Sequence, residues 1–107
     1  MTRSETSFGD RITDSERDFL AEVRKDWYFM GGSRLLLLNE DCRTAEVAPV
    51  YRTFLATLLL RKGLVEKDKP YQLLKVDGST VLGAPLVLTY EGVIALDFAS
   101  AQQDEEN

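Results

Sequence analysis

Apolar and polar positions recur at helical spacing near the N-terminus, in the stretch TDSERDFLAEVRKDWYFMGG. Thr13 and Glu16 have the S/T-x-x-E spacing of a capping box, in which each side chain accepts a hydrogen bond from the other residue's backbone N–H. Gly31 is suited to the left-handed C-terminal cap. The pattern predicts a helix over about residues 14–30, with one apolar stripe made of Phe19, Leu20, Val23, Trp27 and Met30.

The next stretch, SRLLLLNED, contains four consecutive leucines. By periodicity, this run fits a buried strand or a short core helix equally well. The helical preference of leucine and the position of Ser33 as an N-cap favour the helix. Pro49 has no backbone N–H to donate, so we expect it at the first turn of a new helix.

The most regular helical pattern follows Pro49 and ends at Gly63. Its apolar residues recur at i, i+3, i+4, i+7, i+8, i+11 and i+12 from Val47, which predicts a core-facing stripe of Val47, Val50, Tyr51, Phe54, Leu55, Leu58 and Leu59. The opposite face is predicted to meet water or a partner and holds Arg52, Thr53, Ala56, Thr57, Leu60 and Arg61.

Extended segments are predicted after this helix, in LVEK and YQLLKV. Asp77-Gly78 supplies the two positive φ angles that a tight hairpin turn requires. The returning strand STVLGAPLVL contains Gly83 and Pro85, which indicate an edge, a bend or a bulge. From Thr89 the chain fits a last short helix, although GVIALDF also fits a final strand.

These elements predict one domain of the α+β class, with two or three helices followed by a two- or three-stranded β-hairpin. The length of 107 residues is enough for a single core. We assign residues 1–12 to a disordered or loosely ordered N-terminal arm, 13–99 to the domain and 100–107 to an acidic disordered tail. Without an apolar run of about 20 residues or a signal-like start, we expect a cytoplasmic protein that does not enter a membrane.

The residue types present lower the prior for catalysis. The chain has no histidine, which is the commonest general base and transition-metal ligand. Its single cysteine, Cys42, lies between Asp41 and Arg43. Arg43 would favour the reactive thiolate form and Asp41 would oppose it, so neither residue clearly activates the cysteine. No carboxylate group has the spacing of a calcium loop, and no glycine run has the lysine of a nucleotide-binding loop. We therefore expect a non-enzymatic protein without cofactor or metal.

Charge is unevenly distributed along this acidic chain. The formal net charge is −5, yet residues 43–75 hold seven Lys or Arg against three Asp or Glu, and residues 76–107 hold six acids and no base. Local potential decides what a surface attracts. The middle third therefore indicates a positive face on an acidic protein.

The order of elements and two short phrases resemble the winged helix-turn-helix superfamily. The phrase L-x-x-KGLV-x-K at Leu58–Lys67 resembles the end of a recognition helix and the start of a wing, and LT-x-x-G at Leu88–Gly92 resembles the end of the second wing strand. The resemblance covers Leu35–Leu96. It implies a winged-helix-like domain that regulates transcription by binding double-stranded DNA.

The resemblance implies a nucleic-acid surface on the basic helix face and the wing. Arginine is suited to guanine contacts and lysine to phosphates. The implied residues are Arg43, Arg52, Thr53, Thr57, Arg61, Lys62, Lys67, Lys69 and Lys75. Many winged-helix regulators are dimers, so the resemblance also implies a homodimer through the first helix. An alternative interpretation of the same residues is a solvated helix face and a hairpin kept soluble by lysines.

A second hypothesis is an acidic protein-interaction adaptor or inhibitor that keeps the fold without binding DNA. The acidic pI of 4.7 and a recognition region shorter than is usual favour it. Three consecutive aromatic residues predicted on the first helix cannot all face one core. An exposed member of Trp27, Tyr28 and Phe29 would mark a protein interface.

Overall fold

The computed structural model describes residues 12–25 and 28–106, with side chains up to residue 101. This part of the chain has the α+β fold that the sequence predicts at the level of class, with three helices and a six-stranded antiparallel sheet. The elements are α1 (Asp14–Val23), β1 (Tyr28–Gly31), β2 (Arg34–Leu38), β3 (Ala45–Val47), α2 (Val50–Lys62), β4 (Val65–Lys67), β5 (Gln72–Val76), β6 (Ser79–Leu88) and α3 (Tyr90–Glu106).

The first helix begins where the sequence predicts and ends earlier. Glu16 N–H donates to the Thr13 hydroxyl at 3.1 Å, and Thr13 N–H donates to Glu16 Oε1 at 2.8 Å, which confirms the capping box. The helix ends at Val23 instead of near Met30, and Tyr28–Gly31 forms a strand. Of the predicted stripe, Met30 lies in this strand instead of on the helix, and Trp27 lies outside the described residues. Aromatic residues such as Tyr28 and Phe29 fit a pleated, buried surface well.

The leucine run is a strand, so the preference for a helix there was wrong. Strand β2 pairs with β1 and β3, and its side chains point alternately to two buried regions. Leu35 lies in the core on one face of the sheet, and Leu36 lies in the core on the other. A strand that is buried on both faces has a continuous hydrophobic run, because neither side requires polar residues.

Two hydrophobic cores therefore lie on opposite faces of one sheet. The first contains residues of all three helices, including Leu20, Leu59 and Leu96, packed on β1, β2, β4 and β6. The second contains Phe29, Leu36, Ala45, Leu74 and Val76, which are all strand residues.

The sheet curls to enclose the second core. Its strand order is β3-β2-β1-β6-β4, and β5 pairs with β6 beside β4. Strand β5 then returns to the opposite edge, where Lys75 N–H donates to the Arg43 carbonyl at 3.0 Å beside an isolated bridge between Thr44 and Lys75. The contact between the two edges makes one end of the sheet barrel-like.

The region from α2 onward follows the sequence prediction closely. Helix α2 has Pro49 at its N-cap and Gly63 in the left-handed conformation at its C-cap, with φ of 79°. Asp77 and Gly78 have φ of 53° and 82°, as the predicted tight turn requires. Six strands are present in the described chain, however, and three of them precede α2.

The segment after Thr89, which the sequence allowed as a helix or a final strand, is the helix α3. Thr89 caps α3 by accepting from Gly92 N–H at 3.0 Å. The helical backbone continues to Glu106, through residues 100–106 that the sequence assigned to an acidic tail. The predicted N-terminal arm, up to residue 11, lies outside the described residues. Among the helices described, none has the length and apolar character needed to cross a bilayer.

Candidate protein-interaction surface

Helix α2 packs on the sheet with the face that the sequence assigned to solvent or a partner. Ala56 and Leu59 are fully buried, and Arg52 and Thr53 are half-buried. Leu35 N–H donates to the Thr53 hydroxyl at 3.3 Å, which ties this face to the edge of β2. The predicted core-facing stripe is therefore wrong for its N-terminal half.

As a consequence, large apolar side chains of α2 are exposed. The relative exposure is 85% for Val50, 59% for Tyr51 and 65% for Phe54, and Leu58 one turn later is half-buried. We call these four residues the α2 stripe. A single exposed apolar residue is ordinary, but a contiguous set on one helix face is typical of a site that contacts another molecule.

Opposite charges lie at the two ends of the α2 stripe. Glu46 precedes the helix on β3 and Arg61 lies in its last turn; both are exposed. Glu46 is paired with Leu37, whose side chain packs against the first core, so Glu46 lies on the sheet face that α2 covers. Among the described residues, neither Glu46 nor Arg61 makes an ion pair or a side-chain hydrogen bond.

A polar cluster beneath α2 holds the helix in this orientation. Arg52 Nη1 donates to Glu22 Oε1 of α1 at 2.7 Å and to the hydroxyl of Tyr28. The Tyr28 hydroxyl donates to the same Glu22 oxygen at 2.6 Å. Burial, followed by the hydrogen bond to Glu22, raises the pKa of Tyr28 to about 12. Arg52 is thus committed to contacts within the chain.

Two clefts lie beside this cluster, between α1 and α2. One of about 180 Å³ is bordered by Asp18, Phe19, Tyr51 and Leu55, among others, and one of about 350 Å³ by Tyr28 and Leu37 among others. Both have Glu22 and Arg52 in their walls. These two residues already bind each other, so the polar groups best placed to orient a small ligand are occupied.

The structure separates the residues assigned to nucleic-acid binding. Arg52 and Thr53 face the protein interior, and Lys62 pairs with Glu16 at 3.1 Å. Arg43 and Lys75 are brought together where the sheet closes. The other members of the set are exposed and spread over α2, β4 and the loop that follows: Thr57, Arg61, Lys67 and Lys69.

The aromatic run also lies elsewhere than the sequence placed it. Tyr28 and Phe29 are buried on opposite faces of β1, with exposures of 2% and 6%. Tyr28 packs against Phe19, with ring centroids 5.0 Å apart. Trp27, the third member, lies outside the described residues. The described aromatic residues of this run therefore contribute to the cores.

Other features considered for chemistry remain isolated. Cys42 is exposed in the β2–β3 loop with φ of 61°, and its Sγ lies 3.7 Å from the Glu40 carbonyl. Asp41 accepts from the backbone N–H groups of Thr44 and Arg43, which lowers the pKa of its carboxyl. No group of His, Cys, Asp and Glu side chains that could hold a metal ion occurs in the part of the chain that the structure describes.

A second exposed apolar set lies on the β5–β6 hairpin. Leu73 and Leu82 are cross-strand partners with exposures of 67% and 54%, and Tyr71, just before β5, is 52% exposed. Lys75 also lies on this face, two residues after Leu73, and lysines on a strand oppose edge-to-edge association. A third set lies along α3 and consists of Tyr90, Ile94 and Phe98, but Ile94 and Phe98 are only 37% exposed. The α2 stripe is the more exposed and regular surface.

Sequence reasoning missed the α2 stripe because α2 has apolar residues on nearly every side. Periodicity predicted an amphipathic helix and could not tell which of two mixed faces was buried. The informative signal was Ala56, whose small side chain allows close helix–sheet approach. Comparison with protein-family models, curated proteins and solved structures finds no match for this chain.

Proposed function

We propose that this protein is a non-enzymatic protein-interaction module, an adaptor whose binding surface is the α2 stripe. The observation that supports it most directly is the exposure of Val50, Tyr51 and Phe54 on one face of a helix. Aromatic residues are enriched in the centres of protein interfaces, because they remove a large apolar area from water at a small cost in side-chain entropy.

The surroundings of the stripe fit a protein partner. A rigid helix held by the Glu22–Arg52–Tyr28 cluster presents its side chains without further ordering, which lowers the entropy cost of binding. The charged residues at the two ends, Glu46 and Arg61, provide a polar rim around an apolar centre.

Photocrosslinking tests this proposal. A benzophenone amino acid placed at Phe54 should give discrete adducts in cells that express the protein, and excess unlabelled wild-type protein should compete for them. The Phe54→Glu protein should not compete. Tyr71, an exposed aromatic residue on the hairpin, is the matched control position. Equal labelling at both positions, or none at Phe54, would contradict the proposal.

A second candidate function is nucleic-acid binding by a winged-helix-like domain. The observation in its favour is that α2 is followed by β4 and then by the β5–β6 hairpin, and that Arg61, Lys67, Lys69 and Lys75 are all exposed. Phosphate contacts release counterions, so this binding weakens steeply with salt, whereas an apolar interface is much less sensitive.

A titration of labelled random-sequence duplex at low and physiological salt separates the two functions. Nucleic-acid binding predicts salt-sensitive affinity that is lost in a Lys67→Glu/Lys69→Glu/Lys75→Glu protein and kept in Phe54→Glu. No affinity at either salt would exclude this candidate and leave the interaction module.

A further inference from the structure

We propose that the occupant of the α2 stripe is a second copy of this chain, with the two α2 helices packed antiparallel across a two-fold axis at Phe54. The inference rests on the proposed function, since it names the partner of the same surface. It follows from the symmetry of the apolar positions and from the charges at the ends of the stripe.

Three of the four residues of the α2 stripe are arranged symmetrically about Phe54. Val50 precedes it by four residues and Leu58 follows by four, so all three lie on one face of the helix. A two-fold axis at Phe54 places Val50 of each copy against Leu58 of the other and the two Phe54 rings against each other. Such an isologous interface requires a self-complementary patch, and these spacings provide one.

The charges at the two ends are complementary under the same operation. Antiparallel packing brings the C-terminal end of one α2, with Arg61, to the N-terminal end of the other, near Glu46. Both side chains are exposed and lack a partner among the described residues, so pairing them breaks no contact within the chain. Two identical ion pairs would then flank the apolar centre.

The acidic net charge does not prevent this contact. Two chains of −5 repel each other at long range, but charges separated by more than a Debye length, about 8 Å at physiological salt, are largely screened. Helix α2 itself contains no acidic residue and has three basic ones, Arg52, Arg61 and Lys62. The helix that meets its copy therefore brings no acidic side chain of its own; Glu46 lies at the end of the stripe, and Asp18 and Glu22 of α1 border the cleft beside Tyr51.

The first experiment measures molar mass by light scattering over a concentration series. Wild-type protein should approach twice the chain mass of 12.1 kDa as concentration rises. Phe54→Glu should stay at 12.1 kDa, because it places two carboxylates on the axis. Tyr71→Glu is the matched control and should dimerise like wild type. A wild-type protein that stays monomeric at every concentration overturns the inference.

A charge exchange tests the antiparallel arrangement. Glu46→Arg and Arg61→Glu should each raise the dimer Kd about tenfold or more, because each places like charges together. The double variant Glu46→Arg/Arg61→Glu should restore most of the affinity, a rescue that a change in monomer stability would not produce. Glu66→Arg, at an exposed position on β4, should have no effect. If the losses of dimer affinity in the two single variants add in the double variant, the antiparallel arrangement is overturned.

A disulfide trap keeps the inference testable if Phe54→Glu misfolds. In a Cys42→Ser background, Phe54→Cys places one thiol per chain on the axis, and mild oxidation should give a covalent dimer. Tyr71→Cys in the same background should stay monomeric. Absence of the covalent dimer from a folded Phe54→Cys protein counts against self-pairing.

The two proposals fail in different ways. If wild-type protein is monomeric at every concentration but a different protein crosslinks at position 54 and is competed by wild type, self-pairing is overturned and the interaction module stands. If neither dimer nor competed adduct is found, both proposals are overturned.

Discussion

Gly92 sets the approach of α3 to the connection between α2 and β4. A Cβ atom at this position would lie 1.9 Å from the carbonyl oxygen of Leu64, which is impossible without a shift of backbone. Thr89 fixes the same junction, since its N–H donates to that oxygen at 3.1 Å and its hydroxyl donates to the Gly63 carbonyl at 2.7 Å. The LT-x-x-G phrase therefore has a structural role in joining two helices.

Gly92→Ala should lower the free energy of unfolding by about 1–3 kcal/mol or more, because the added methyl overlaps backbone. In an unconstrained helix the same change is stabilising, since alanine favours the helix by about 1 kcal/mol over glycine. The sign of the effect therefore tests the close approach. Urea denaturation measures it, with Ser100→Ala, exposed on the same helix, as the control. A more stable Gly92→Ala protein would refute this packing.

The raised pKa of Tyr28 predicts that the folded protein loses stability at alkaline pH. Its folded pKa of about 12 lies above the usual tyrosine pKa of 10.0, so between these values the folded chain keeps a proton that the unfolded chain has released. The free energy of unfolding should therefore fall as pH rises from 10.0 towards about 12. Tyr28→Phe should remove this part of the slope.

The measurement is chemical denaturation of wild type and Tyr28→Phe at a series of pH values above 9. Lysines titrate in this range in both proteins, so the difference between the two stability curves isolates the contribution of Tyr28. Tyrosinate absorbance provides an independent readout, because one of the four tyrosines in the wild-type chain should titrate late. Parallel stability curves for the two proteins would show that Tyr28 does not titrate abnormally.

At the scale of elements, α2 shows that a helix can be predicted correctly and oriented incorrectly. Its start after Pro49 and its end at Gly63 follow from local chemistry, which the sequence contains. Its rotation about its own axis depends on Arg52 reaching Glu22 and Tyr28, which come from distant parts of the chain. Apart from the small Ala56, no local pattern indicates which face of α2 is buried.

Two substitutions on α2 test this rotation. Leu59→Ala should cost about 2–5 kcal/mol in the free energy of unfolding, because Leu59 is fully buried. Phe54→Ala should change the stability of dilute monomer by no more than about 0.5 kcal/mol, as expected for an exposed side chain. Thermal or urea unfolding at low protein concentration measures both. A large loss in Phe54→Ala monomer would place that residue in the core.

At the scale of the whole molecule, the sheet separates two cores that depend on different partners. Helices cover one face, and the curl of the strands encloses the other. Leu35 and Leu36 are neighbours in β2, both fully buried, and belong to different cores. Substitutions at these two positions therefore report separately on the two faces of the sheet, and show whether both faces are covered.

Leu35→Ala and Leu36→Ala should each cost about 2–5 kcal/mol, since each leaves a cavity in a packed core. Their effects should add to within about 0.5 kcal/mol in the double variant, because the two side chains belong to different cores on opposite faces of the sheet. Equilibrium unfolding of the three proteins measures this. A near-neutral change at either position would indicate that one face of the sheet is exposed to solvent.

The sequence alone determined the α+β class and the features that depend on neighbouring residues. The capping box at Thr13, the left-handed cap at Gly63 and the turn at Asp77-Gly78 are fixed by hydrogen bonds and φ angles within a few positions. Only the tertiary structure decided that the leucine run is a strand and which face of α2 is buried. Both outcomes depend on what covers a residue, and the covering residues are far away along the chain.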